Sequence, residues 1–333
     1  MKGSASEKLR RFYRQFTNED QVLVIINADP DAIASAMAVK RLLWRRVAGV
    51  TISHINIIKR PDNIAMIRLL RLKLAQIDEI DEQRFSRVVM VDSQPKHHES
   101  FERFKPDVII DHHPESQAQV PFMDIRPKYG ATATIMTEYL RAAKIKPSTK
   151  LATGLFLAIK ADTSNFERQA LIEDIKAFQF LFRHSNIHLA RKIEQADLRL
   201  DFIKYFIIAM QNMQMRRGRI FVHLGLVANP DICVIIADFF MRINPVKWSI
   251  VSGLYAGKLI IVFRNDGIRK NAGKVAQASF SQIGSAGGHK SMSRAEIPME
   301  NLKERVAVDN DKELSRWIID RIEKSAEKNS IAR

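Results

Sequence analysis

Short apolar runs alternate with longer amphipathic segments through the first half of the chain. The runs have the length and composition of buried strands, and the segments between them have the apolar spacing of helices. Four strands are predicted in this way, at Val22–Ile26, Val50–Ile57, Val88–Val91 and Val108–Ile110. Strands that alternate with helices pair in parallel, because each helix returns the chain to the end of the sheet at which the preceding strand began. The sequence therefore predicts an α/β fold with a mostly parallel sheet.

The amphipathic segments predict helices, the clearest of which begins directly after Asp31. Their ranges are Ala32–Val47, Ala131–Ala143, Leu151–Lys160 and Ile172–Phe182. The second half reads as a strand, a helix, a strand pair that turns at Ala256–Lys258, a helix from about Asn271, a glycine-rich loop and a final helix at Lys312–Glu323. We therefore predict an N-terminal domain at 1–190, a connecting helix at 191–217 and a smaller α/β domain at 218–333.

The composition of the 333 residues excludes a disulfide-stabilised scaffold and argues against a membrane-spanning protein. A chain of this length can bury two hydrophobic cores without disulfide bonds or structural metals. Its single cysteine, Cys233, lies in an apolar run and cannot form an intrachain disulfide. The longest apolar runs stop far short of the roughly 20 residues that span a bilayer, and the N-terminus has no hydrophobic signal core. We expect no membrane anchor and a cytoplasmic location.

The charge is strongly positive and unevenly distributed. Lys and Arg number 53 against 37 Asp and Glu, and residues 241–294 hold nine Lys or Arg and one acid, Asp266. Such a surface attracts phosphate-rich partners, although on charge alone a solvated basic face without a partner explains it equally well.

Acidic or histidine residues stand just after four of the apolar runs. They are Asp29 and Asp31 after VLVII, Asp92 after RVVMV, Asp111, His112 and His113 after DVII, and Asp162 after GLFLAIK. Taken alone, Asp31 would be explained as a helix cap and the histidine pair as part of a loop. The carboxyl ends of parallel strands share one edge, however, so these groups can converge there. Clustered carboxylates and imidazoles repel one another unless a cation lies between them, which predicts a divalent metal site.

The same segments resemble a known family. NADPDAIAS, VVMVDSQP, VIIDHHP and IKADTSNF are similar to the four successive motifs of the DHH phosphoesterases, and GSAGGHKS at 284–291 resembles the glycine-glycine-histidine loop of the smaller C-terminal domain that accompanies many of them. The resemblance covers both predicted domains and implies an active site in the cleft between them.

The resemblance also implies roles for individual residues. In a manganese-dependent phosphoesterase with two metals, Asp29 would bind the first metal, Asp92 would bridge both, and the second would be held by Asp31, His112 and Asp162. His113 would face the scissile phosphate, so His113 and Asp92 are the expected catalytic residues. Mg²⁺ or Co²⁺ are expected substitutes for Mn²⁺.

Residues of the second domain are implied in substrate binding. Arg264 would clamp a terminal phosphate with Asn265 beside it, and Gly287, Gly288 and His289 would form a loop whose backbone approaches a nucleotide. The interpretation of Arg264 as a surface ion pair stays open.

The first motif departs from the family pattern. The positions where relatives carry a metal-binding histidine or aspartate hold Ile25 and Asn27 here, and Ile25 has no lone pair to offer. Asn27 could serve as a weak ligand or hold another ligand in place, so we expect a weakened first metal site. The loop after His289 also carries Arg294 where relatives have a small residue, which points to a different substrate rim.

The leading functional hypothesis is an enzyme similar to the nano-RNases of this family, which release mononucleotides from very short oligonucleotides and, in some members, remove the 3′-phosphate of adenosine bisphosphate. The alternatives are a phosphodiesterase for cyclic or linear dinucleotides, a single-strand exonuclease, an exopolyphosphatase, and a non-catalytic nucleotide- or RNA-binding protein with a degenerate metal site. The expected partner is a short nucleic acid or a nucleotide, with no membrane involved. The sequence leaves an oligomer open.

Overall fold

Two units make up the chain in the computed structural model, one spanning Met1–Asp197 and the other Leu198–Arg333. The structure describes residues 4–114, 120–167, 170–195, 200–268 and 270–331, with side chains as far as 325. None of the helices in these ranges is both long enough and apolar enough to cross a membrane.

The first unit has a six-stranded sheet in which every pairing is parallel. Its strands are β1 (Gln21–Ile26), β2 (Gly49–His54), β3 (Ala75–Gln76), β4 (Arg87–Val91), β5 (Val108–Asp111) and β6 (Phe122–Ile125), in the spatial order β3-β2-β1-β4-β5-β6. Its helices are α1 (Ala5–Tyr13), α2 (Pro30–Leu42), α3 (Pro61–Leu70), α4 (Glu99–Glu102), α5 (Thr132–Ala142), α6 (Thr149–Asp162), α7 (Ile172–Phe182) and α8 (Ile187–Glu194).

Both faces of this sheet are buried, which explains why its strands are continuous apolar runs. In β1, Val22 and Val24 join the larger apolar cluster, which includes α2, α5 and α6, whereas Leu23 and Ile25 join the cluster on the opposite face. Alternate side chains of a strand point to opposite faces, so a strand covered on both sides carries apolar residues throughout.

The predicted α/β class is confirmed, with corrections to single elements. The helix predicted at Leu151–Lys160 is confirmed as α6, so Asp162 lies at the end of a helix and the strand-end rule does not apply to it. Helix α2 ends at Leu42 and not at Val47, and the backbone of Arg45 beyond it is left-handed with φ 61°. Strand β2 ends at His54 and not at Ile57.

The second unit has a mixed sheet in the order β11-β12-β10-β9-β8-β7, antiparallel except between β8 and β9. Its strands are β7 (Gln214–Arg216), β8 (Arg219–Leu226), β9 (Trp248–Tyr255), β10 (Lys258–Asn265), β11 (Ser285–Gly288) and β12 (Met292–Pro298). Its helices are α9 (Ile203–Asn212), α10 (Asp231–Phe240), α11 (Ala272–Phe280) and α12 (Asp311–Ile331). Cys233 is fully buried in α10, as its apolar surroundings predicted.

Two predictions for the second half were wrong. The segment 191–217 is not one connecting helix, because it contains the end of α8, helix α9 and strand β7. Helix α9 buries Tyr205 and Ala209 in an apolar cluster of the second unit, and β7 pairs with β8. The prediction of a glycine-rich loop was wrong in part, because Ser285–Gly288 forms strand β11, which pairs with β12.

Candidate metal centre

The predicted ligands of the first unit lie where the strand order of its sheet reverses. The chain builds outward from β1 to β3 on one side and from β4 to β6 on the other, so β1 and β4 flank the switch point at which parallel sheets form ligand crevices. Asp29 and Asp31 follow β1, Asp92 follows β4, and His112 and His113 follow β5. Three neighbouring strand ends therefore deliver these groups to one edge.

Four of the predicted ligands form a close group. Asp31, Asp92, His112 and Asp162 each offer one atom, and these atoms all lie within 4.8 Å of one another. The Nε2 atom of His112 lies 3.0 Å from Asp162 Oδ2, 3.5 Å from Asp92 Oδ1 and 4.0 Å from Asp31 Oδ2. Three carboxylates and an imidazole at such distances suit a divalent transition metal.

The ring of His112 is oriented so that Nε2 faces the carboxylates. Its Nδ1 lies 3.2 Å from the carbonyl oxygen of Tyr129, so Nδ1–H donates, and Nε2 is the nitrogen that offers a lone pair when the ring is neutral. Nε2 is buried, and among the described residues no partner meets it with hydrogen-bond geometry. A buried nitrogen in this state fits a metal ligand, whose other ring nitrogen is commonly held by a carbonyl in the same way.

Asp31 is held by the start of a helix other than its own. Its carboxylate accepts hydrogen bonds from the backbone N–H groups of Thr132, at 2.6 Å, and Ala133, at 2.8 Å, in the first turn of α5. The cap of α2 is instead Asp29, whose Oδ1 accepts from the N–H of Ala32 at 2.9 Å. Of the two aspartates, the structure thus gives the capping role to Asp29 and leaves Asp31 in the close group.

Asp92 has a left-handed backbone, with φ 57°, directly beyond the last residue of β4. Its N–H still donates to the carbonyl of Ile110 in β5, and the hydroxyl of Thr132 donates to its Oδ1 at 2.8 Å. A non-glycine residue in this region costs energy and is over-represented at functional sites, because the rest of the fold must hold it there.

Burial and mutual repulsion shift the protonation of the centre. Burial raises the pKa of Asp29 to about 6, and the Asp162 carboxylate adds to the effect. Burial and neighbouring carboxylates raise the pKa values of Asp31 and Asp92 well above their usual range. Burial opposes a charge on His112, but Asp162 and Asp31 outweigh it and raise the pKa of the imidazole to about 9. A divalent cation would displace the protons that this crowding retains.

Asp111, the first residue of the DHH triplet, positions His113. Its Oδ1 lies 2.8 Å from His113 Nδ1 and accepts from the backbone N–H of the same histidine at 3.1 Å. Gln94 donates to the other carboxylate oxygen at 2.6 Å, and both Asp111 and Gln94 are fully buried. Neither residue was predicted to have a role, although Asp111 stands in the motif itself and Gln94 in VVMVDSQP.

Of the residues expected to bind the first metal, Asp92 belongs to the close group, whereas Asp29 and Asn27 do not. Asp29 is outside the four-residue group and caps α2, and Asn27 is exposed at the end of β1. Ile25 is fully buried in the apolar cluster on the face opposite to α2. His113 and Asp92 form a smaller group with His112.

In the second unit, Arg264 is paired with an acid. Its Nε donates to Asp238 Oδ1 at 2.6 Å and its Nη1 to the carbonyl of Phe263, and its side chain is 14% exposed. Asn265 is buried and braces the following turn, with Nδ2 donating to the carbonyl of Lys270 and Oδ1 accepting from Gly267. The surface ion pair left open for Arg264 is therefore present.

Gly287 and Gly288 lie in the β11–β12 hairpin beside Asn265, whose N–H donates to the carbonyl of Ser291. Gly288 has φ +143°, and a Cβ there would lie 2.6 Å from the carbonyl oxygen of Met292. His289 is exposed at the tip, and its carbonyl accepts from the N–H of Gly273 at the start of α11. The structure thus places Asn265 beside the hairpin that carries the Gly287–His289 segment, whereas the Arg264 side chain pairs with Asp238 of α10.

Fold and site define a two-unit α/β protein with a carboxylate and histidine centre at the carboxyl edge of a parallel sheet. Residues 21–159 match the sequence model of the DHH family, N-terminal domain. Uncharacterized protein MJ1633 of Methanocaldococcus jannaschii is 32% identical over 300 residues, which cover 90% of this chain and 61% of that relative. The chain therefore spans less than two thirds of the length of that relative.

Solved structures share the fold at low sequence identity. An exopolyphosphatase-related protein from Bacteroides fragilis has a TM-score of 0.72 at 15% identity, covering 98% of this chain and 99% of its own. Exonuclease RecJ, solved bound to manganese, has a TM-score of 0.50 at 11% identity, covering 97% of this chain and 94% of its own.

Proposed function

We propose that the chain is a divalent-metal-dependent phosphoester hydrolase acting on nucleotides or short oligonucleotides. The observation that carries the proposal is the group of Asp31, Asp92, His112 and Asp162, in which a buried imidazole nitrogen lies 3.0 to 4.0 Å from three carboxylates. The match of residues 21–159 to the DHH family supports it, as does the manganese in the structure of RecJ.

The protein's own groups would divide the work at such a centre. A divalent cation would polarise a phosphoryl oxygen and acidify a bound water. The backbone of α5 and the Tyr129 carbonyl hold Asp31 and His112 in place, so the ligand geometry exists before substrate arrives. Asp111 fixes the Nδ1 side of His113, whose side chain is 45% exposed, so Nε2 remains for a phosphate oxygen.

The finer specificity we propose is that of the nano-RNases, with or without removal of the 3′-phosphate of adenosine bisphosphate. The test is a panel of di- to decanucleotides, adenosine bisphosphate, cyclic and linear dinucleotides and polyphosphate, each with Mn²⁺, Mg²⁺, Co²⁺ or chelator. We expect hydrolysis of the shortest oligonucleotides or the bisphosphate, and none with chelator. Nucleotide binding without hydrolysis of any substrate would instead identify a binding protein.

The metal sites should be unequal. The group that contains His112 offers four ligands, whereas a first site would have Asp29, a share of Asp92 and the neutral amide of Asn27. Hard cations gain most from charged oxygens, so we expect about one Mn²⁺ per chain at micromolar metal. Titration calorimetry without substrate measures the stoichiometry. Asn27→Asp should increase the affinity of the first site, which contains Asp29 and Asn27 and is expected to fill second. Two equally tight sites in the unmodified chain would contradict the ligand assignment.

We further propose that Arg264 binds a substrate phosphate. Its pairing with Asp238 supports a plain structural role equally, so the two variants are compared. Arg264→Ala should raise KM several-fold with a smaller change in kcat, whereas Asp238→Ala, which removes the acceptor of the Arg264 Nε–H, should leave KM unchanged or lower it. Equal KM values for Arg264→Ala and the unmodified chain on every substrate would overturn this role.

A further inference from the structure

A cavity of about 430 Å³ lies in the first unit, away from the carboxylate centre. Its apolar lining comes from Met37 in α2, Ile52 in β2, Leu72 after α3 and Leu151 in α6. Asp31 belongs to the first turn of α2, and Lys40, which also lines the cavity, belongs to the last. At 1.5 Å per residue the two are about 14 Å apart along the helix, so the cavity is a separate feature.

The other side chains at the cavity are mainly cationic. Lys40, Arg41, Arg71 and Lys73 line it, no acid does, and none of the four has an ion pair within the described part of the chain. The sequence supplies no local compensation either, because no Asp or Glu stands between 31 and 62 or between 62 and 78. Four uncompensated cations around one concavity favour an anion with several charges.

An exposed tryptophan accompanies these cations. Trp44 lines the cavity with 59% of its surface exposed, and the Arg41 and Arg45 guanidinium groups lie 4.8 Å and 5.0 Å from its ring centroid. Both guanidinium groups lie over the ring, so a planar base can stack on Trp44 by replacing one of them, and the displaced arginine can then contact phosphate.

We propose that this cavity binds a nucleoside polyphosphate, with its base against Trp44 and its phosphates at Lys40, Arg41, Arg71 and Lys73. The volume lies within the range of small-ligand sites, roughly 300–1,000 Å³, and accommodates one nucleotide. Inorganic phosphates would use the cations alone and a nucleoside would use the tryptophan alone. The combination therefore selects for a molecule that carries both.

The test isolates the cavity from the metal centre. ATP binding is measured by calorimetry on the full chain carrying Asp92→Asn, in EDTA, with adenosine, tripolyphosphate and a decanucleotide as the other probes. We expect ATP to bind at least about tenfold more tightly than adenosine or tripolyphosphate. Because the metal centre is disabled, the result is independent of whether the chain hydrolyses phosphoesters.

Two variants assign the binding to the cavity. Lys40→Ala with Lys73→Ala should weaken ATP at least about tenfold, and Trp44→Ala should weaken ATP but not tripolyphosphate. Arg71 is left in place because its backbone is left-handed, with φ 59°. The matched control is Arg84→Ala with Lys105→Ala, which removes two exposed cations elsewhere on the first unit and should change nothing.

Four outcomes would overturn the proposal. They are no ATP binding at millimolar concentration, ATP binding that neither variant changes, tripolyphosphate binding as tightly as ATP, and a decanucleotide binding more tightly than ATP with the same sensitivity to both variants. The third would show a site for charge alone, and the fourth a surface for a nucleic acid strand.

Discussion

Asp92→Asn is expected to lower phosphoester hydrolysis by about three orders of magnitude while the fold is retained. The substitution removes the carboxylate charge from the group that includes Asp31, His112 and Asp162. It keeps the shape of the side chain and an oxygen for the Thr132 hydroxyl, which now donates to Asp92 at 2.8 Å. Asparagine also tolerates the left-handed backbone of this position better than alanine does, so a loss of activity cannot be ascribed to backbone strain.

The measurement is kcat on the best substrate of the panel with saturating Mn²⁺, together with the melting temperature. The matched control is Asp20→Asn, which neutralises a buried aspartate just before β1, at the opposite end of that strand from the centre. We expect the control to keep kcat within about twofold. Asp92→Asn with more than a few per cent of normal turnover would show that this carboxylate is not needed.

The convergence of the carboxylates and His112 could be predicted because it depends on one geometric rule. Asp31, Asp92 and His112 follow strands of a parallel sheet, and the carboxyl ends of such strands share an edge. Asp162 reaches the same place from the end of helix α6, which was predicted as a helix and to which the rule for strand ends does not apply. The inclusion of Asp162 among the ligands was predicted from its residue type and its place in the order of the motifs. It did not depend on whether a strand or a helix presents the residue.

The groups that hold the ligands in place could not be predicted from the same pattern. The amides of α5 that bind Asp31 are about a hundred positions away, with Thr132 at a separation of 101 residues. Backbone N–H groups leave no signature in a sequence, and the partner of a buried amide such as Gln94 depends on tertiary packing. Likewise, strand β11 carries two glycines, and only its pairing with β12 shows that Ser285–Gly288 is extended.

The buried ion network around Asp124 should contribute strongly to the stability of the first unit. This carboxylate in β6 is 2% exposed and accepts hydrogen bonds from Lys8 of α1 at 2.6 Å, from Arg126 at 2.7 Å and from the Tyr139 hydroxyl of α5 at 2.9 Å. Asp124→Asn would leave Lys8 without its carboxylate partner and would leave Arg126 with Glu138 as its remaining ion-pair partner. We expect the free energy of unfolding of the first unit to fall by about 3–5 kcal/mol.

Urea unfolding followed by circular dichroism measures this loss, as a shift of the transition of the first unit. Glu194→Gln is the control, because it neutralises an exposed partner of Lys160 and should cost less than about 1 kcal/mol. A loss below about 1 kcal/mol for Asp124→Asn would mean that Lys8 is rehydrated and that Glu138 alone is enough to pair with Arg126.

The pH dependence separates the charge of Asp124 from its packing. Burial alone would raise its pKa, but Arg126 and Lys8 outweigh burial and hold the pKa of the carboxyl below its usual range. A depressed pKa in the folded state gives stability that is complete above the unfolded value, near about pH 4, and is lost as the pH falls through the folded value. The difference in unfolding free energy between the unmodified chain and Asp124→Asn should therefore shrink below about pH 4. Because both proteins share the metal-centre carboxylates, the opposite pH effects of those groups cancel in this difference. An unchanged difference between pH 7 and pH 3 would show that packing, and not the charge, stabilises the network.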